Sequence, residues 1–405
     1  MRTEVSVRVF RFLLAWFAVL ATAWPTGAAA AAPSPPLDWP IPSGHFYTET
    51  NGFPSGASPM GYPIVDDAGA KFWTAYQKLG GVQRLGYPAS QRFLWKGFVT
   101  QIMQKAVLQW RPDTATADFL NVFDDLGADG ANGWLQSTFA VPLPVPATFD
   151  NGRNWNQIVV GRTDLLKSRP ALLKWYQSTP DALDLYGLPT STVVDAGPMY
   201  VVRLQRAVLQ EWKVAEPWAK PGEVTVANGG DLGKEAGVFP WKQLRPVAPP
   251  AGTWTFKPGE YSLSGRATWY GPGFYGRPMA NGVTYEPNDP TTTAANAYPL
   301  GSLLRVRADQ TSRTIQVYVR DTGRFTYPGV LDLSPAAFAS LGVPPATGVL
   351  TVTVELLAAP AAPVAATTAV TTTLPAGSAA AGPSVTPVPS PTGVVVSSKT
   401  QAPSR

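Results

Sequence analysis

The sequence has no cysteine and a single histidine, His45, among 405 residues. Without thiols there is no disulfide, thiolate zinc site, iron–sulfur cluster or cysteine nucleophile. One imidazole excludes a His-pair metal site and argues against a Ser-His-Asp triad. Charge is also scarce, at 15% of residues against about 25% in ordinary globular chains. Low charge combined with 42 prolines disfavours long solvated helices and coiled coils. Chemistry is left to carboxylates, hydroxyls, amides and cations, and neither a cofactor nor a metal is expected.

The formal net charge of +5 is not concentrated in any folded segment. Residues 1–32 carry +2 and residues 358–405 another +2, while residues 259–357 set seven arginines against seven acids. No basic face of the kind that binds DNA or RNA is predicted. The first 32 residues read as a signal peptide. Arg2, Arg8 and Arg11 precede an apolar run from Phe12 to Ala23, followed by Pro25, Gly27 and alanines 28–32. That run is short for a bilayer span, which needs about 20 residues; an uncleaved anchor or a buried helix is the other reading. The mature chain is expected to be exported by a bacterial route to the envelope or beyond. It should be free of the membrane after cleavage and, lacking Cys, not a lipoprotein.

The remaining chain divides at prolines into a Pro-rich lead-in at 33–43, a stiff linker at 246–258 and a tail at 358–405. The tail has no acid and no aromatic residue, so it lacks the apolar area to offset its chain entropy and is expected to be disordered. Between the prolines one pattern occurs twice. Trp73-Thr-Ala-Tyr76, Leu85-Gly-Tyr-Pro88-Ala-Ser90, Gly97 and Gln104-Lys-Ala-Val-Leu-Gln-Trp110 recur as Trp175-Tyr176, Tyr186-Gly-Leu-Pro189-Thr-Ser191, Gly197 and Gln205-Arg-Ala-Val-Leu-Gln-Glu-Trp212. Pro88 and Pro189, like Gln104 and Gln205, stand 101 residues apart. Two features sharing one offset predict a duplication, with copies at 44–140 and 141–245. Each copy reads as a short helix, a Gly-Pro turn and a hairpin. The pattern resembles LGFP repeats, which are found in secreted bacterial proteins and are generally thought to hold them at the cell wall. The competing reading makes the paired tryptophans plain core.

Residues 259–357 carry the informative motifs. Gly265-Arg-Ala-Thr-Trp-Tyr-Gly271 is followed by Met279-Ala-Asn-Gly-Val283, Thr293-Ala-Ala-Asn296 and Pro299-Leu-Gly-Ser302. Then come Arg320-Asp-Thr-Gly-Arg-Phe325 and Val330-Leu-Asp-Leu-Ser-Pro335. Alternating Ile315, Val317 and Val319 predict a strand; Ser334, Pro335 and Gly342 predict a short capped helix burying Phe338 and Leu341. Asn281-Gly282 suits a tight turn. A mainly β chain is expected, ending in a small barrel interrupted by one helix.

This succession resembles the RlpA-like (rare lipoprotein A) double-psi β-barrel, and its Asp-Leu-Ser-Pro segment is also similar to the barrel of bacterial expansins. The resemblance implies six strands and action on wall glycan, with peptidoglycan or another wall polysaccharide as partner. Catalytic members are lytic transglycosylases acting on peptidoglycan, whereas expansins loosen or bind polysaccharide without hydrolysing it. The family Asp of the Asp-Arg-Gly-Pro turn falls on Asp321, and that of Asp-Leu-Ser on Asp332. The family Glu and His positions are Val283 and Asn296, and a family Thr is Met279.

Asp321 is the first candidate for general acid and base, Asp332 the second. Asp321 also reads as a turn carboxylate taking backbone N–H bonds, and Asp332 as either groove-facing or helping to cap the next helix. Glu286 and Asp289 read as solvated loop carboxylates. Trp269, Tyr270, Tyr275, Asn281, Tyr285, Asn296 and Phe325 are the candidates for holding sugar, with Phe274 and Tyr327 beside them. Strand alternation puts Trp269 and Tyr270 on opposite faces, one of them core, and the resemblance implies that the exposed member lines the groove. Three functions follow: a wall protein that binds glycan through a degenerate barrel with tandem modules as anchor, an active lytic transglycosylase relying on Asp321, or a surface interaction protein without glycan affinity.

Overall fold

The computed structural model describes residues 35–54, 56–254 and 256–360. The expected signal peptide and nearly all of the expected tail lie outside them. Among the described residues no helix is long and apolar enough to cross a membrane. Nor do three His, Cys, Asp or Glu side chains gather as metal ligands there.

The chain is mainly β, and its last part is a closed six-stranded barrel. The strands are β1 (Ser262–Trp269), β2 (Thr292–Ala294), β3 (Leu303–Ala308), β4 (Thr314–Asp321), β5 (Gly329–Leu333) and β6 (Leu350–Ala358). They close in the order β1-β5-β2-β4-β3-β6. The β1/β5 and β2/β4 pairs run parallel; the other four are antiparallel. Period-two alternation sends Leu304, Val306, Val317, Val319, Val352 and Val354 inward, each with no exposure. Helix α1 (Pro335–Ser340) plugs one end of the barrel. Ser334 accepts from the Ala337 N–H, Pro335 opens the first turn, and Phe338 and Leu341 are buried.

Two antiparallel sheets precede the barrel. One holds Phe93–Trp95, Phe98–Ile102, Val107–Arg111 and Thr116–Phe119; the other holds Val194–Asp195, Met199–Arg203, Val208–Trp212 and Val224–Val226. Each has four strands where the sequence suggests a hairpin, because the outer strands are too short to show a period. The same local bonds occur in both. Tyr76 OH donates to Gly86 O and Tyr176 OH to Gly187 O, both at 2.9 Å. Gln104 Oε1 accepts from Tyr87 N, and Gln205 Oε1 accepts from Leu188 N. Ser90 and Ser191 hydroxyls accept from Ile102 N and Arg203 N.

The helix following each sheet docks on the hairpin turn of the other. In helix Val122–Ala128, Phe123 N donates to Gln205 O; in helix Gly229–Glu235, Asp231 N donates to Gln104 O. Buried Arg203 donates to Phe123 O and to Asn132 Oδ1.

The Pro-rich lead-in is structured. Asp38–Ile41 forms the edge strand of a three-stranded sheet with Gly44–Tyr47 and Tyr62–Val65, where Pro40 costs no interior ladder bond. The segment expected as a linker is packed too. Val247 bridges Gly61 through two backbone bonds, and Trp254 and Phe256 lie against the barrel core.

The glycines of helix Gly229–Glu235 set how close it sits. A Cβ on Gly230 would meet Met103 O at 1.8 Å, whereas one on helical Gly133 would meet nothing within 4 Å. Gly230→Ala is therefore expected to lower the thermal unfolding midpoint, at a cost of about 1–3 kcal/mol. Gly133→Ala should be neutral or slightly stabilising. Equal calorimetric shifts for the two would refute the tight docking.

Candidate functional site

Barrel closure lines up one row of residues across four strands. Thr268 on β1 pairs with Asp332 on β5, Asp332 with Ala294 on β2, and Ala294 with Asp321 on β4. Strands lie about 4.8 Å apart, which sets the two aspartate Cα atoms roughly 10 Å apart with only a methyl group between them. Asp332 alternates with Leu331 and Leu333, which are in the core, so its carboxyl points to the opposite face.

The two carboxyls are held differently. Asp321 Oδ1 accepts from Ala280 N at 2.9 Å and Thr322 N at 2.8 Å, and Oδ2 accepts from Tyr270 OH at 3.0 Å. These three donors hold the carboxyl in place and tie it to the hairpin carrying Met279–Val283. Asp332 accepts one bond among the described residues, from Thr268 OH at 2.9 Å. Burial raises its pKa; the Thr268 bond opposes that shift and the Asp321 charge adds to it.

An aromatic wall stands over the row. Tyr270, Tyr285, Met279 and Ala294 form a small buried cluster, with Phe325 packed against it. The Tyr270 and Tyr285 ring centroids are 4.8 Å apart. Burial pushes both phenols upward, and Asp321 adds to the shift at Tyr270. Tyr285 OH is buried and has no hydrogen-bond partner among the described residues. Phe274 and Tyr275, 49% and 42% exposed, supply open ring faces, and Tyr275 leans on Tyr285 at 6.0 Å.

Several expectations are redistributed. Trp269 packs against the barrel core and donates to Pro345 O at 2.7 Å, so it lies away from the carboxyls. Tyr270, its neighbour on the other face, is buried beside them, and neither ring is an open platform. Asn281 caps its own turn, accepting from Val283 N at 3.0 Å. Asn296 braces the turn after Asp321, donating to Gly323 O at 2.7 Å and accepting from Gly323 N at 3.2 Å. Asp289 is not a solvated loop acid. Burial alone would raise it, but hydrogen bonds from Thr291, Thr292 and Arg320 hold it at about 2. Ser334 caps α1 with its own hydroxyl, while the Asp332 carboxyl accepts from Thr268 and takes no part in the cap. Thr268, Ala294 and Arg245, whose Nη1 donates to Thr322 OH, escape a reading by sequence. Only strand register and long-range packing bring them to the site.

The sequence profile of the lytic transglycolase family matches residues 262–354. Over 80 residues the chain is 36% identical to the endolytic peptidoglycan transglycosylase RlpA of Campylobacter jejuni, covering 20% of this chain and 29% of that one. It is 38% identical over 79 residues to the probable enzyme of Synechocystis and 40% over 82 to that of Pseudomonas aeruginosa, each 20% of this chain and 24% of the relative. The chain thus spans less than a third of these relatives' length. Among solved structures, a Streptomyces papain inhibitor is 25% identical, with 24% of this chain and 94% of that one covered at TM-score 0.20. The apo expansin of Clavibacter michiganensis is 28% identical, with 25% and 53% covered at TM-score 0.21.

The environment of Asp332 is testable by carboxyl NMR. Its titration is expected above the ordinary value of about 3.9. Thr268→Val should raise it further by removing the bond to the charged form, and Asp321→Asn should bring it down by removing a like charge. A midpoint at or below the ordinary value would exclude Asp332 as an acid.

Proposed function

Residues 262–354 form an RlpA-like double-psi β-barrel, and from that premise we propose that it binds peptidoglycan glycan and cleaves it by lytic transglycosylation. The observation that carries this is the unequal pair, a thrice-bonded Asp321 beside an Asp332 with a raised pKa and one engaged hydrogen bond. Asp332 gives its proton to the glycosidic oxygen as the C–O bond to the anomeric carbon breaks. The sugar's own 6-hydroxyl then closes on that carbon and returns a proton to Asp332, so no water is consumed. In this reading the Asp321 carboxylate stabilises the positive charge that develops at the anomeric carbon. Asp332 thereby takes the acid role the sequence assigns first to Asp321. Tyr275 and Phe274 offer ring faces to sugar, and the unpartnered Tyr285 hydroxyl offers a donor. Export and wall anchoring through the two LGFP-like units belong to the same proposal.

A second reading, binding without cleavage, is favoured by Val283, 54% exposed, and by Asn296, whose amide is spent on Gly323. These stand where the resemblance puts a Glu and a His.

Incubation with purified peptidoglycan and mass spectrometry of soluble products separates the two. The parent is expected to release glycans with 1,6-anhydro ends, and Asp332→Asn to slow release by about 10²–10⁴-fold. Because the acid must be protonated, the rate should fall as pH rises through the raised Asp332 value. Hydrated reducing ends would indicate hydrolysis by both carboxyls. Pelleting with the wall but no product would leave a binding protein.

A further inference from the structure

A second cavity, of about 210 Å³, opens at the junction between the barrel and the residues before it. Its volume is roughly that of seven liquid waters. The barrel contributes Asn296 and Phe325, one bracing the Asp321 turn and the other packed on the Tyr270 and Tyr285 cluster. The opposite wall includes Lys234, from the end of helix Gly229–Glu235, and Arg245, from the strap that runs into Val247. The cavity therefore continues the site already described but is half built by the N-terminal part of the chain.

Both cations lack an acid at salt-bridge distance. Lys234 makes no ion pair or hydrogen bond among the described residues, and its ammonium lies 5.4 Å from the centre of the Tyr62 ring. Arg245 Nε is buried without a partner, while Nη1 is spent on Thr322 and the guanidinium stacks 5.1 Å from the Trp241 ring centre. Arg324 lies over the same ring at 4.8 Å. The nearest carboxyls form no salt bridge with them among the described residues. Asp231 and Glu235 beside Lys234, and Asp321 beside Arg245, act only through space. Burial outweighs that attraction and lowers the pKa of both cations, as it pushes Asp231 up to about 6 and raises Glu235. Two partly buried cations walling one cavity, with an unpaired N–H left over, form a preorganised place for an anion.

We propose that this junction cavity is an anion subsite of the glycan groove, in which Lys234 and Arg245 bind the carboxylate of a sugar one position along the strand. It rests on the glycan reading above. In peptidoglycan that carboxylate is the lactyl group carried by every second sugar once its peptide is removed. A glycan of N-acetylglucosamine alone has the same backbone without it.

The test uses the full mature chain carrying Asp332→Asn, so that ligand is not turned over. Calorimetry compares peptide-free peptidoglycan oligosaccharides with N-acetylglucosamine oligosaccharides of equal length. The carboxylate-bearing ligand is expected to bind roughly tenfold more tightly, a preference that rising salt erodes. Lys234→Met should abolish the preference and keep neutral-sugar binding, and Lys234→Arg should restore it. Amidating the ligand's carboxyl should mimic the Met variant. Equal binding of both ligands by the unsubstituted cavity overturns the subsite and leaves the glycan reading standing, whereas binding of neither overturns both. If Lys234→Met proves unstable, the salt dependence and the amidated ligand decide without it.

Discussion

The site depends on Ala294. It is in register with Asp332 on one side and Asp321 on the other, so the smallest chiral side chain occupies the space between two carboxyls. Strand β2 is only three residues long, too short to hold register by its own ladder, and it is pinned from both flanks. Thr293 OH donates to Asp332 O at 3.0 Å, Ser334 N donates to Thr292 O, and Ala295 N donates to Asp321 O. A slip of one residue would reverse every side chain on the strand and put Thr293 between the aspartates. The parallel β1/β5 pair extends the same register to Thr268, which becomes the single donor to Asp332. Closure of the barrel thus determines both the spacing of the carboxyls and the difference in their bonding.

The N-terminal part is joined to this barrel by more than a tether. Ala57 is a member of the barrel's own core, and Ser58 OH donates to Ala297 O. Arg245 reaches Thr322, next to Asp321 in the chain. Each of these groups would cost free energy if buried unpaired, so they resist sliding of one part on the other. The groove is consequently framed by residues far apart in sequence, and its shape depends on the N-terminal part as well as on the barrel.

That division explains what could be read from the sequence. The barrel was legible because its strands alternate, its helix carries Ser334 and Pro335 at the cap, and its motifs occur in a known order. Asp321 and Asp332 stand out as candidates from those motifs, but their unequal hydrogen bonding does not, because the donors come from residues distant in sequence. The Trp269 and Tyr270 alternation was read correctly as opposite faces. Which face was core depended on where Pro345 and Asp321 lay. The packing of the lead-in and linker segments is not legible in their composition for one reason. Proline content marks a segment that cannot supply ladder donors, yet an edge strand or a packed strap needs few of them, and Trp39, Trp254 and Phe256 supply the apolar contacts instead.

Two aspartates on the strands either side of β2 would by themselves have similar proton affinities, and nothing would distinguish their roles. The division comes from what surrounds each. Asp321 sits where two backbone N–H groups and a phenol converge, three donors on one carboxyl. Asp332 is partly buried with one hydroxyl for support, and burial, with the Asp321 charge adding to it, raises its pKa. The Tyr270 phenol completes the asymmetry. By donating to Asp321 it turns its hydrogen away from Asp332, and the raised pKa of the phenol keeps that donor protonated throughout the range in which Asp332 titrates. Burial and sparse bonding therefore make Asp332 the member of the pair that holds its proton more firmly than an ordinary carboxyl.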